Sequence, residues 1–279
     1  MKILVIGASG LVGGALHRAL ERAGMDVVGT SCTARPAEKA VLDIRQPKAV
    51  QACVEAVKPQ VVILAVNVAG GVDYCQEHPD DTHAILVEGT RYVAEQAARH
   101  HAMMVHYSTD YIFDGTQGPY TEEEAPFPLS VYGRAKLEAE RAIQALVSRH
   151  LILRTTAVFG WDRRSKNFAM QVWQRLQAGR SLQVPQDQWC NPTLVDYLAE
   201  ASARLLQMGV EGLVNVVGHD RVVRVEFAQA LAKTMLLDPA LIVAVPTAAL
   251  GQVAPRPVHG GLHTDKLSRL LGTEPPSLA

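Results

Sequence analysis

Residues 2–23 leave few folds open to this chain. Lys2 is followed by the apolar run Ile3-Leu-Val-Ile6, then by Gly7-Ala-Ser-Gly10-Leu-Val-Gly13, and then by a helical stretch from Ala15 to Ala23. A continuous apolar run is the pattern of a parallel strand buried on both faces. A glycine-spaced turn joining such a strand to a helix opens a doubly wound α/β sheet, and it is the context in which the G-x-x-G-x-x-G spacing carries meaning. There Gly7 allows the tight turn, Gly10 lets the backbone approach a pyrophosphate, and Gly13 lets helix and strand pack closely. The helix N-terminus then faces the phosphates. Ser9, Leu11 and Val12, between these glycines, are candidate contacts of the same dinucleotide.

The alternation continues. Strands are predicted at Asp26–Gly29, Val41–Ile44, Gln60–Val66, Met103–Tyr107 and Leu151–Arg154, with helices at Pro47–Val57 and Asp80–His101 between them. The sequence therefore predicts a doubly wound parallel (Rossmann) sheet over residues 1–160. Ala65, Val66 and the loop Asn67–Gly71 lie beyond the fourth strand, where ligands of open α/β sheets bind. Residues 161–279 have a looser pattern: helices near 167–178, 194–208, 225–236 and 265–271, short strands near 182–184 and 212–217, and a polar loop at Gln186–Thr193. With no nucleotide fingerprint, this smaller α/β region is the natural place for substrate selection, and residues 190–217 are expected to pack back on the sheet.

The cofactor preference is read after the second strand. A dinucleotide without a 2′-phosphate usually meets an acid there. Here the run is Gly29-Thr-Ser31-Cys-Thr-Ala-Arg35, with no acid. Ser31 and Arg35 suit a 2′-phosphate instead, which favours NADP(H) over NAD(H). Asp43 and Ile44, at the end of the third strand, are expected to border the adenine.

A second stretch, Val105 to Lys136, carries candidate chemistry. Ser108, Thr109 and Asp110 fall at a strand end, and Pro126 and Pro128 hold off a helix until about Ser130. Tyr132 and Lys136 then share one helix face. An ammonium near a phenol is expected to lower the tyrosine pKa, and a hydroxyl facing the pair completes a device for handing a proton to a carbonyl oxygen.

Composition excludes other classes. The net charge of −1 gives no reason to expect nucleic acid or an acidic membrane surface as partner. The run Val61–Val66 is too short to span a bilayer, and the apolar run near the start is too short for a signal peptide. Cys32, Cys53, Cys75 and Cys190 are scattered and read as reduced thiols of a cytoplasmic protein. His100 and His101 adjoin a helix end, and no metal site is expected.

Taken together, the chain resembles the extended short-chain dehydrogenase/reductase superfamily, and within it the dTDP-4-dehydrorhamnose reductase family. The resemblance rests on Gly7-x-x-Gly10-x-x-Gly13, on Ser108-Thr-Asp-Tyr-Ile-Phe-Asp-Gly115, Pro119-Tyr120, Tyr132-x-x-x-Lys136 and Leu153-Arg154-Thr155, and further on Asn167-Phe168, Asp187-Gln188, Pro192-Thr193 and Arg256-Pro257. It implies an NADPH-dependent reductase of a nucleotide-linked 4-keto-6-deoxy sugar. Tyr132 would protonate the forming alkoxide, Lys136 would hold the nicotinamide ribose and keep Tyr132 acidic, and Thr109 would hydrogen-bond the substrate oxygen. Asp110, Tyr111, Asn167 and Arg256 would meet the substrate. Family members are often homodimers. Leu86 stands where relatives usually carry an asparagine that helps anchor the lysine. Two alternatives share the scaffold. One is a sugar-nucleotide epimerase or dehydratase, although Tyr111 stands where dehydratases carry a carboxylate. The other is a non-catalytic NADP-binding regulatory subunit similar to the methionine adenosyltransferase β subunit.

Overall fold

The computed structural model describes residues 1–32, 40–162 and 167–278. Along the first part of the chain the elements are β1 (Lys2–Ile6), α1 (Leu11–Arg22), β2 (Asp26–Ser31), β3 (Ala40–Val41), α2 (Pro47–Val57), β4 (Val61–Leu64), α3 (Gly71–Glu77), α4 (Pro79–His83), α5 (Gly89–Arg99), β5 (Met103–Thr109), α6 (Val131–Leu146) and β6 (His150–Thr155). Then follow β7 (Val158–Phe159), α7 (Phe168–Gln177), β8 (Leu182–Pro185), β9 (Trp189–Cys190), β10 (Thr193–Leu194), α8 (Val195–Gln207), β11 (Gly212–Asn215), β12 (Val222–Val223), α9 (Arg224–Thr234), β13 (Ile242–Val245) and α10 (Asp265–Leu271).

The apolar runs form one seven-stranded sheet in the order β11-β6-β5-β4-β1-β2-β3, and all of its pairings are parallel. Because side chains alternate across a strand, each run feeds two cores. Ile3, Val5, Ile63, Val105 and Leu153 face α1 and α8. Leu4, Ile6, Val62, Leu64, Met104 and Ile152 join a second core with residues of α2, α5 and α6. Such double burial is why these strands show no polar alternation.

Between β3 and β4 the chain returns to the centre of the sheet, so β1 and β4 are neighbours whose connections leave in opposite directions. A crevice at the C-terminal ends of β1 and β4 follows from that topology. The third strand is shorter than its apolar run suggests. Only Ala40 and Val41 pair with β2, because Arg45 folds back on Asp43 and ends the ladder. The long helix predicted from Asp80 is interrupted by one π-helical turn at Ala84–Glu88.

The region after residue 161 contributes to both layers. Helix α8 packs on α1, and β11 adds to the sheet beside β6. Asn215 ties that strand down: its N–H donates to Glu122 Oε1 at 2.8 Å, and its amide nitrogen donates to the carbonyls of Tyr120 and His263. The remainder builds a separate core of Val172, Leu176, Val184, Phe227 and Leu231 from α7, β8 and α9. Two short pairs brace it, β8 with β13 and β9 with β12.

Candidate active site

A cleft of about 730 Å³ opens along the C-terminal edge of the sheet. At one end lie Ser9, Gly10, Leu11 and Val12, at the mouth of α1. This helix starts at Gly10 without a side-chain cap and without an acid in its first turn, so its first amides are open to an anion. Gly7 makes the turn at φ +90°, and a Cβ at Gly13 would overlap the Gly7 carbonyl. The strand-to-helix approach is therefore closer than any side chain allows. The cleft volume lies in the range of known cofactor pockets, and its open helix end suits a pyrophosphate. Ala65 and Val66, with Asn67 of the loop after them, form the wall that follows β4.

The other candidate residues converge at the middle of the cleft. Thr109 closes β5 and caps the short 3-10 turn Asp110–Ile112, its hydroxyl accepting from the Tyr111 N–H at 3.2 Å. Helix α6 starts where the prolines permit: the Ser130 hydroxyl accepts from the Gly133 N–H, and Tyr132 and Lys136 lie one turn apart on the inner face. The rings of Tyr111 and Tyr132 meet edge to face, 5.8 Å between centroids. A Cβ on Gly133 would overlap the Tyr111 carbonyl oxygen, so helix and turn touch backbone to backbone. Thr109, Asp110, Tyr111, Tyr132 and Lys136 all line the cleft.

The electrostatics differ from the sequence expectation. Burial holds the Tyr132 phenol above its ordinary pKa, while hydrogen bonding with Asn67 and Thr109 draws it the other way. The Lys136 ammonium donates to the Tyr107 carbonyl at 2.8 Å; in this structure it acts on the backbone of β5 rather than on the phenol. Its own pKa is pushed down to about 8 by burial, with Glu140 opposing. Asp110 is lifted to about 6 by burial, partly offset by the hydroxyl of Thr156 and the N–H of Gly261.

Several predicted contacts stand elsewhere. Ile44 is a core residue, 5% exposed, packed so closely on α5 that a Cβ at Gly89 would come within 2.8 Å of it. The Asp43 carboxylate is engaged by Arg45, with contacts of 2.7–3.1 Å. Ser31 is buried at the end of β2, and Arg35 falls outside the described residues. Asn167 caps α7 and donates to the Gly160 carbonyl. Arg256 pairs with Asp73 at 2.9 Å, its guanidinium 5.9 Å from the Tyr111 ring centroid. Leu86 sits buried in the π-helical turn, its carbonyl accepting from the Thr90 hydroxyl. Sequence reasoning did not assign Gln188, Trp189, Cys190 or Arg224 to the site, and all four line the same cleft.

Among the described residues no group of three histidine, cysteine, aspartate or glutamate side chains converges as a metal site. No described helix is long and apolar enough to cross a membrane.

Comparison with known proteins places this geometry. The chain is 32% identical to a dTDP-4-dehydrorhamnose reductase of Salmonella typhimurium, over 96% of this chain and 91% of that one. Among solved structures it is similar to a dTDP-4-dehydrorhamnose reductase of Bacillus anthracis in complex with NADP, at 25% identity and a TM-score of 0.89, covering 99% of this chain and 95% of that one. It is likewise similar to a hypothetical dTDP-4-dehydrorhamnose reductase of Sulfolobus tokodaii, at 28% identity and a TM-score of 0.90, covering 100% and 98% of the two chains. Residues 1–278 match the RmlD substrate binding domain family, and this chain is a member of it.

Proposed function

We propose that this protein reduces the ketone of a nucleotide-linked 4-keto-6-deoxy sugar with NADPH, as a dTDP-4-dehydrorhamnose reductase. The observation that carries the reading is the meeting of Thr109, Tyr132 and Lys136 in one cleft whose end is the open N-terminus of α1. The dinucleotide, when bound, supplies the hydride. The Tyr132 hydroxyl gives its proton to the ketone oxygen as charge develops there, with the Thr109 hydroxyl donating to the same oxygen. Lys136 holds the Tyr107 carbonyl and so fixes the end of β5 beneath Thr109.

The division of labour is part of the proposal: residues 1–160 hold the cofactor, and residues 161–279 select the substrate. The missing acid after β2 supports NADPH, with Arg35 the candidate for its 2′-phosphate. Four free cysteines support a reducing compartment such as the cytoplasm.

The test is NADPH oxidation with dTDP-4-dehydrorhamnose, followed through the absorbance of the reduced nicotinamide. Tyr132→Phe should lower turnover at least about a hundredfold and leave NADPH affinity within about threefold, because the phenol's part is chemical. Binding of NADPH without turnover on any of a panel of keto-sugar nucleotides would overturn the reading in favour of a regulatory NADP-binding subunit.

A further inference from the structure

We infer that Asp73 and Gln76, on α3, are positioning residues that tie the segment around Arg256 to the helix carrying Tyr132. The inference rests on the reductase reading above and on three sets of contacts. First, α3 is clasped from outside. Asp73 Oδ1 accepts twice, from the Ala254 N–H at 3.0 Å and from Arg256 Nη2 at 2.9 Å. The Arg256 side chain is only 9% exposed, so its charge is costly to leave unpaired. The segment that reaches over is itself braced. The Val258 carbonyl accepts from the Trp189 N–H, and the His259 N–H donates to the Gly115 carbonyl, both at 2.8 Å. Pro257, beside Arg256, lines the cleft.

Second, the same short helix passes the tie on to α6. Gln76 lies three residues after Asp73, on the same side of α3, and its Oε1 accepts from the Val131 N–H at 3.0 Å. The first N–H groups of a helix have no partner within it. Gln76 therefore takes up an open donor of α6 one residue before Tyr132. Between the two ties, Cys75 is buried in a small core with Leu86 and Ala135, and Tyr132 packs against that core.

Third, a second route returns from Arg256 to the same tyrosine. Its guanidinium lies 5.9 Å from the Tyr111 ring centroid, and Tyr111 meets Tyr132 edge to face at 5.8 Å. Arg256 thus bears on Tyr132 from two sides: through Asp73 and Gln76 on its backbone, and through Tyr111 on its ring. Breaking the Asp73 tie lets both α3 and the guanidinium move. A displacement of about 1 Å at a reacting group can lower a rate about 10²-fold.

The experiment uses the full chain with Asp73→Ala, Asp73→Asn, Gln76→Leu, Gln76→Glu, Arg256→Met and the double variant Asp73→Ala/Arg256→Met. Amide exchange at Val131, followed by nuclear magnetic resonance, reads the tie without any substrate. Asp73→Ala should speed that exchange at least about fivefold although Asp73 does not touch Val131. It should lower kcat about ten- to a hundredfold and leave NADPH affinity within about threefold. Asp73→Asn keeps an oxygen for both donors and should lose less, which also serves if Asp73→Ala melts far below the parent. Gln76→Glu keeps the acceptor for Val131 and should retain turnover that Gln76→Leu loses. In the double variant the two losses should not multiply, because both break one pair. Parent-like Val131 exchange or turnover within threefold of the parent in Asp73→Ala, or losses that multiply in the double variant, would overturn the inference. If the exchange effect is found while the unmodified protein oxidises NADPH with no keto-sugar nucleotide, the tie stands and the reductase reading falls.

Discussion

Replacing Gly133 by alanine should uncouple the candidate tyrosine from its partners without removing any polar group. Gly133 follows Tyr132 directly, and its Cα faces the backbone of the turn that carries Tyr111. An added Cβ would sit well inside 3.0 Å of the Tyr111 carbonyl oxygen, a separation real Cβ atoms essentially never show, and the obstacle is backbone rather than a flexible side chain. Reaching ordinary contact at 3.4 Å requires α6 to recede from the turn by on the order of 1 Å, a misplacement that can lower rates about 10²-fold. Overpacking of this kind typically destabilises by about 1–3 kcal/mol, which for a chain of this length lowers Tm by roughly 2–5 °C. The assays are the melting curve, NADPH titration and turnover. Gly133→Ala should melt a few degrees lower, bind NADPH within about tenfold of the parent, and turn over about a hundredfold more slowly. Turnover within threefold of the parent would show that the contact between α6 and the turn does not position Tyr132, and the geometric argument would fail.

Two further outcomes follow from buried charge. Asp110 has a folded-state pKa of about 6 against an ordinary 3.8. The native state therefore holds a proton the unfolded chain has released, and the stability this gives is lost as pH rises from about 4 to 6. Asp110→Asn keeps an acceptor for the Gly261 N–H, so its stability relative to the parent should climb by about 3 kcal/mol over that window and level off above it; a flat difference in chemical denaturation across pH 4–7 would contradict this. Glu140 and Arg154, with side chains 2% and 4% exposed, form a buried two-pronged pair at 3.1 and 2.8 Å. Glu140→Ala should destabilise by about 3–5 kcal/mol because it strands the guanidinium, and a melt within a degree of the parent would refute that.

How much of this was legible in the sequence depended on whether the signal was local. The sheet strands were visible because double burial writes them as unbroken apolar runs. Helix α6 was legible to the residue because two prolines and a serine cap bracket its start. Pro47 marked α2 in the same way. What stayed hidden was set by contacts distant in sequence. The stretch Gln186–Thr193 reads as a polar loop, yet Trp189 and Cys190 pair with Val222 and Val223, more than thirty residues later, and no periodicity reports that. Arg224 and Gln188 reach the cleft only because of this pairing. For Tyr132 the spacing to Lys136 was right and the electrostatic inference was not, since burial outweighs a neighbour whose ammonium is turned to Tyr107.

The strand beside β6 has a bearing on how the chain is made. Residues 1–160 contain the glycine turn, Thr109, Tyr132 and Lys136, but the sheet edge they leave is covered only when Gly212–Asn215 pairs with Leu151–Arg154. Synthesis runs from the N-terminus at about 5–20 residues per second, so the early portion waits on the order of several seconds on the ribosome for the segment that seals it. During that interval the backbone of β6 presents unpaired groups, and the side of α1 later covered by α8 is bare. A nascent chain with such an edge is a natural client for a chaperone.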